Sequence, residues 1–155
     1  MFDTIVWATD GSQQADQAIE VAKTLARDHA ASLVVVHIVQ HYATKTGLAA
    51  YANEDLVKAK LEQTVQQLSQ DGFRPSLRIV DHVGPQPAHE IADIARTEGA
   101  GLIVMGTRGH GAIAGLLLGS VVMRLLHVAP CPVVVVPAAR GGHGEEDRTK
   151  PTAAI

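Results

Sequence analysis

Residues 102–122 read LIVMGTRGHGAIAGLLLGSVV. The apolar run from Leu102 to Met105 has the length of a strand, and a loop rich in glycine separates it from a short helical pattern that begins at Ser120. Glycine lets the backbone take positive φ and lets a ligand approach bare N–H groups. A strand followed by such a loop and then a helix indicates a sheet that binds its ligand at the carboxyl ends of its strands.

The same alternation of strand and helix runs through the rest of the chain. Four further apolar runs have strand length, namely Thr4–Ala8, Leu33–Val39, Ser76–Val83 and Val133–Val136. Three further segments have helical periodicity, namely 13–29 with Ser12 as its cap, 53–71 with Asn53 as its cap, and 88–98. Residues 40–52 show no clear period and are predicted to form a loop. Five strands alternating with four helices predict an open α/β fold, with a parallel sheet and helices on both faces.

The composition is that of one ordinary globular domain. With 155 residues, 46% hydrophobic and 19% charged, the chain can bury a core without a disulfide or a metal. A net charge of −3 and an aromatic content of 3% argue against nucleic-acid and membrane partners. No apolar run has the length of a membrane span and the N-terminus has no signal-peptide pattern, so we expect a cytoplasmic protein. We expect residues 1–137 to form the domain and residues 138–155 to form a disordered tail.

Two loops follow strands that we expect to be central. The first is 8–12, and the second is the glycine-rich segment 106–120. A series of exposed N–H groups leading into a helix N-terminus suits an anion, and Ser120, Arg108 and His110 add donors or charge. Glycines that only turn corners in a crossover loop are the alternative. The chain has no Gly-Lys-[Ser/Thr] sequence and no dinucleotide fingerprint after its first strand.

The spacing Gly106-x2-Gly109-x9-Gly119-Ser120 resembles the nucleotide-binding motif of the universal stress protein family. Other parts of the chain are similar to that family in the same order. They are the Asp10-Gly11-Ser12 exit of the first strand, the His37-Ile38 pair, the Val83-Gly84 turn, and the segment 129–133 before the last strand. The resemblance extends from about residue 4 to residue 137.

This resemblance implies a Rossmann-like sheet with strand order 3-2-1-4-5, so that the two loops face each other across the crevice between strands one and four. It also implies a protein of the stress response that binds ATP, because the chain retains the glycines and the serine of the ATP-binding branch. Mg²⁺ or Mn²⁺ would arrive with the nucleotide, held by its phosphates.

Site residues follow from the resemblance position by position. It places Gly109, Gly119 and Ser120 at the phosphates and Gly106 near the ribose. The adenosine side is implied to be lined by Ala8, Thr9 and Asp10, with the main chain at Ile38 reading the adenine edge. The remaining predicted contacts are Thr107, Arg108, His110 and Gly111 in the loop and Val121 and Val122 at the helix start.

Two departures from the family pattern bear on the ligand. Position 8 is often proline in ATP-binding members and is alanine here, and Val122-Met123 stands where the family often carries threonine and a polar residue. A missing hydroxyl weakens contacts to a γ-phosphate or a metal. ADP, AMP or a cyclic nucleotide are therefore alternatives to ATP.

No catalytic residue and no dedicated protein metal site are predicted. The glycine loop contains no lysine for phosphoryl transfer, and neither His37 with His41 nor His89 with Asp93 has a third ligand. Asp10 is either a nucleotide or metal contact or a helix cap. Cys131, between two prolines, is expected to be structural.

Three functions remain open. The first is a nucleotide-binding protein that acts as a homodimer, because the family resemblance implies that the last strand, Val133, Val134, Val135 and Val136, pairs antiparallel with its copy. A tail that folds over this edge is the alternative to the dimer. The second function is a slow ATPase or nucleotide hydrolase that uses Asp10 and a metal. The third is a scaffold that needs no nucleotide.

Overall fold

A computed structural model describes residues 2–50, 53–83, 86–107 and 118–138. The elements in chain order are β1 Thr4–Ala8, α1 Gln13–His29, β2 Ser32–Thr44, β3 Gly47–Ala50, α2 Glu54–Gln70, β4 Pro75–Val83, α3 Pro87–Thr97, β5 Leu102–Gly106, α4 Ser120–Val128 and β6 Val133–Val136. Of the predicted tail, Ala138 alone lies within the described residues.

The sheet has the predicted parallel core. Its five parallel strands lie in the order β4-β2-β1-β5-β6, which is the expected order 3-2-1-4-5 when the predicted strands are counted along the chain. The order reverses at β1, which pairs with β2 on one edge and with β5 on the other. The α/β fold class is confirmed.

The prediction of a loop over residues 40–52 is wrong for residues 40–44 and 47–50, and residues 51–52 lie outside the described residues. Strand β2 continues to Thr44, and β3 pairs with it antiparallel over Gly47–Ala50. This two-stranded ribbon is mostly exposed, so its sequence carries no alternation of apolar and polar residues. Backbone pairing holds it, together with a turn in which the Thr44 hydroxyl donates to the Gly47 carbonyl at 2.9 Å.

Two apolar cores lie on opposite faces of the sheet. Odd-numbered residues of β1 and β2, such as Trp7 and Val35, pack beneath α1 and α2. Even-numbered residues, such as Val6 and Val36, pack against α3 and α4. Central strands are therefore apolar on both faces, as expected for a parallel sheet covered by helices.

The helix boundaries follow local sequence signals. The Ser12 side chain accepts from the Ala15 N–H at 3.2 Å, and the Asn53 side chain accepts from the Leu56 N–H at 3.3 Å, so both predicted caps are confirmed. Helix α3 begins one residue earlier than predicted, at Pro87, because proline is suited to the first turn. Cys131 is half-buried, and burial raises the pKa of its thiol. Within the described segments, every helix is too short or too polar to cross a membrane.

Candidate nucleotide site

The strands that precede the two predicted loops end side by side at the carboxyl edge of the sheet. Strands β1 and β5 are direct neighbours and end at Ala8 and Gly106, and α1 and α4 begin at this same edge. In open α/β sheets this edge, where the strand order reverses, is the usual place for a ligand.

The first turn of α4 has no capping side chain. Its N-cap is Gly119, no described side chain accepts from its N–H groups, and its first turn contains no acidic residue. The first helical hydrogen bond runs from the Met123 N–H to the Gly119 carbonyl at 3.0 Å, which leaves the N–H groups of residues 120–122 at the helix start. Together with the positive end of the helix dipole, these donors suit an anion.

Strand β5 holds this helix start in place. The Gly119 N–H donates to the Thr107 carbonyl at 2.8 Å, and the Thr107 N–H donates to the Val136 carbonyl at 2.9 Å. Thr107, which follows the predicted residue Gly106, is therefore in contact with Gly119, and Gly119 precedes the exposed Ser120. Arg108, Gly109, His110 and Gly111 lie outside the described residues.

Side chains of the loop after β1 accept hydrogen bonds from the N–H groups of the same loop. Asp10 Oδ1 accepts from the Ser12 N–H at 3.0 Å and from the Ser12 hydroxyl at 2.6 Å, while Thr9 Oγ1 accepts from the Gly11 N–H at 3.1 Å. Lys60 of α2 donates to the Gly11 carbonyl at 2.9 Å and to Asp16 at 2.5 Å. At least one oxygen of Asp10 therefore has a structural role in the loop, whatever else the side chain binds.

The main chain of Ile38 faces a gap between strands. Strand β1 leaves the edge of β2 after the Thr9 N–H donates to the Val36 carbonyl at 2.9 Å, and β3 joins β2 only at His41. Even-numbered residues of β2 direct their N–H and C=O toward this edge, because Leu33 and the other odd-numbered residues pair with β4. Among the described residues, no backbone hydrogen bond joins Ile38 to Thr9.

His37 and Glu54 form a contact that the sequence did not predict. The His37 ring is buried, with Nδ1 3.0 Å from the Thr9 carbonyl oxygen and Nε2 2.7 Å from Glu54 Oε2. Glu54 is the first residue of α2, so the contact joins β1, β2 and α2 beside the Ile38 gap. A histidine within a run of valines was the signal available, but its partner lies 17 residues away.

The described residues show no resident metal centre. No group of three or more His, Cys, Asp or Glu side chains in this part of the chain converges on a point.

Strand β6 lies at the edge of the described sheet. It pairs with β5, and since the Ile103 N–H donates to Pro132 and the Thr107 N–H donates to Val136, even-numbered positions of β6 face β5. Val133 and Val135 therefore direct their N–H and C=O away from β5. Their side chains pack against the core that lies beneath α3 and α4.

Comparison with known proteins gives consistent results. The model of the universal stress protein family matches residues 1–137. A relative from Thermus aquaticus, the "Universal stress protein in QAH/OAS sulfhydrylase 3'region", is 38% identical over 138 residues, which cover 88% of this chain and 99% of the relative.

Two similar solved structures contain adenine nucleotides. A universal stress protein from Archaeoglobus fulgidus in complex with dAMP is 26% identical, with a TM-score of 0.62 and coverage of 86% of this chain and 96% of that one. A universal stress protein in complex with cAMP is also 26% identical, with a TM-score of 0.64 and coverage of 87% and 97%. The chain belongs to the universal stress protein family.

Proposed function

We propose that this protein binds an adenine nucleotide at the carboxyl edge between β1 and β5. The observation that carries the proposal is the start of α4, where Gly119 leaves three N–H groups without a described side-chain partner and without an acidic neighbour. A phosphate is the ligand class that suits such a helix start. Gly109, Gly119 and Ser120 hold the phosphates in this proposal, with Thr107, Arg108, His110, Gly111, Val121 and Val122 around them.

The base and sugar lie across the crevice. The main chain of Ile38, which has no backbone partner toward β1 among the described residues, offers one donor and one acceptor side by side, and these match the two kinds of polar group on the edge of adenine. Ala8, Thr9 and Asp10 line the adenosine and Gly106 lies near the ribose. Relatives solved with cAMP and dAMP support the adenine class of ligand.

The form of the nucleotide is ATP with Mg²⁺ or Mn²⁺, and ADP, AMP or a cyclic nucleotide are the alternatives. The metal would be held by the phosphates. The protein acts as a binding protein of the stress response in the cytoplasm, not as an enzyme. Asp10 Oδ1 already accepts two hydrogen bonds from Ser12. This favours a binding protein over a hydrolase that uses Asp10 as its metal ligand.

Nucleotide binding is coupled to a homodimer through β6. An edge strand of four valines is a template for another strand, and Val133 and Val135 direct their main-chain groups toward it. A ligand that prefers the dimer stabilises it by mass action.

Native mass spectrometry of freshly purified protein tests the binding proposal. The expected result is a dimer that carries one adenine nucleotide per subunit, and the retained mass identifies the nucleotide. If the protein is empty and stays empty after addition of AMP, cyclic AMP, or ATP with Mg²⁺, the nucleotide proposal is wrong and the nucleotide-independent scaffold replaces it.

Val135→Pro tests the dimer. This change removes an N–H that points away from β5, so the pairing within the subunit stays intact. We expect a monomer by sedimentation velocity, while Val135→Thr, which retains the N–H and the branched side chain, stays dimeric. A Val135→Pro protein that dimerises as the unaltered chain does would place the interface elsewhere.

A further inference from the structure

The buried ring of His37 occupies the position where a regular sheet would have a backbone hydrogen bond. In a continuous parallel ladder, the Thr9 N–H donates to the Val36 carbonyl and the Ile38 N–H donates to the Thr9 carbonyl. The first of these bonds is present at 2.9 Å. In place of the second, His37 Nδ1 lies 3.0 Å from the Thr9 carbonyl oxygen.

We propose that His37 is a positioning residue of the nucleotide site. Because its ring donates a hydrogen bond to the Thr9 carbonyl, the Ile38 N–H stays free to bind the adenine edge. This inference rests on the proposed function. A carbonyl oxygen only accepts, so Nδ1 carries a proton and donates. Without that donor, the shortest way to satisfy the buried Thr9 carbonyl is the Ile38 N–H, which would close the gap.

Glu54 completes the arrangement. Its Oε2 is 2.7 Å from His37 Nε2, and the ring is 2% exposed, so the carboxylate fixes the ring plane from the first turn of α2. Both ring nitrogens thus face acceptors. The two hydrogen bonds exist together only when the His37–Glu54 pair holds one proton more than a neutral imidazole beside a carboxylate.

The other charged groups on the elements around His37 are paired or lie farther along those elements. Lys60 of α2 bonds Asp16 of α1, and His41 of β2 lies 3.2 Å from Asp81 of β4. Arg78 of β4 bonds Glu98, and the other charged side chains are Asp10 in the loop after β1 and Asp55, Lys58 and Glu62 in α2. Glu54 is the titratable side chain in hydrogen-bond contact with the ring.

Glu54→Gln keeps both hydrogen bonds of the ring while removing the charge of the carboxylate. The glutamine amide donates to Nε2 of a neutral ring, and Nδ1 still donates to the Thr9 carbonyl. We expect this variant to bind AMP, and ATP with Mg²⁺, within about threefold of the unaltered protein.

Two substitutions of His37 separate its two bonds. In His37→Asn the amide nitrogen takes the place of Nδ1 and can donate to the Thr9 carbonyl. In His37→Gln the longer side chain brings the amide toward Glu54, so the Thr9 carbonyl loses its hydrogen-bond donor. We expect His37→Asn to bind within about threefold of the unaltered protein and His37→Gln to lose about tenfold. His41→Asn is the matched control, since it changes another histidine of β2 that contacts a carboxylate, and it should bind as the unaltered protein does.

The ¹⁵N signals of the His37 ring in the unaltered protein keep the test independent of variant folding. Nδ1 should appear protonated, because it donates to the Thr9 carbonyl, and an unprotonated Nδ1 would overturn the role of His37. Equal affinity for His37→Gln, His37→Asn and the unaltered protein would also overturn that role while the nucleotide site stands. Absence of nucleotide binding by the unaltered protein would overturn both proposals.

Discussion

Helices α1 and α4 begin at the same edge of the sheet, after the neighbouring strands β1 and β5, but their first turns are built differently. At α1, Ser12 caps the helix, Asp10 holds Ser12, and Asp16 lies in the first turn. At α4, Gly119 stands at the cap position, without a capping side chain or an acidic residue. In α1 a side chain of the same loop accepts from the Ala15 N–H, whereas in α4 no side chain among the described residues accepts from the first N–H groups.

The two cap positions contribute differently to the stability of the helix and to the access of a ligand. Replacing a capping side chain by alanine destabilises a helix by about 1 kcal/mol. Replacing it by glycine costs only about a few tenths of a kcal/mol. A glycine cap therefore costs the fold little while keeping the approach to three N–H groups open. Exchanging features between the two helix starts tests this interpretation.

Gly119→Asp gives α4 the kind of cap that α1 has, and it should have the largest effect. Gly119 has φ −70° and ψ 160°, which suit an aspartate cap. We expect calorimetry to show a loss of nucleotide affinity of about 100-fold, because the carboxylate occupies the N–H groups and repels phosphate. The free energy of unfolding should rise by about 0.3 kcal/mol.

Gly119→Asn is the matched control, because it offers a cap without the charge. Its affinity should lie between those of the unaltered protein and Gly119→Asp. Unchanged affinity in Gly119→Asp would mean that the nucleotide phosphate does not lie at α4.

Gly11→Ala should have the next largest effect, on the fold of the α1 loop. Gly11 has φ +79°, and a Cβ there would lie 2.8 Å from Val57 Cγ1. Left-handed strain and this close contact together should lower the free energy of unfolding by about 2 kcal/mol in chemical denaturation. Gly72→Ala is the control, since Gly72 has φ +87° with nothing within 4 Å, so it carries the strain alone. If both variants lose the same stability, the contact with Val57 contributes nothing.

Ser12→Ala should have the smallest effect. It removes the bond to the Ala15 N–H and should cost about 1 kcal/mol, or roughly 2–4 °C in Tm. Ser12→Asn should recover most of that loss, because asparagine is also a good cap. Nucleotide affinity should change far less than in Gly119→Asp. A larger effect on binding than on Tm would contradict the division of roles between the two helices.

The sequence predicted the parts of the molecule that repeat a strong local pattern. Apolar runs such as Leu33–Val39 and caps such as Ser12 and Asn53 carry their own signals, and the predicted strands and helices agree with the structure. The strand order came from the family resemblance and not from a local pattern. The ribbon of β2 and β3 was missed because exposed antiparallel pairs need no apolar period.

The site was harder to predict because its contacts join distant parts of the chain. The glycine spacing pointed to the start of α4, but the contact between His37 and Glu54 depends on where α2 begins. The gap at Ile38 likewise depends on where β1 leaves β2 and where β3 joins it. A single sequence carries no local signal for either boundary.

The central claim is that phosphate binds at the first turn of α4 and not at that of α1. Titrating ¹⁵N-labelled protein with AMP, and separately with ATP and Mg²⁺, tests it directly. We expect the amide signals of Ser120, Val121 and Val122 to shift strongly while those of residues 13–15 stay nearly constant. Shifts of equal size at both helix starts, or none at α4, would contradict it.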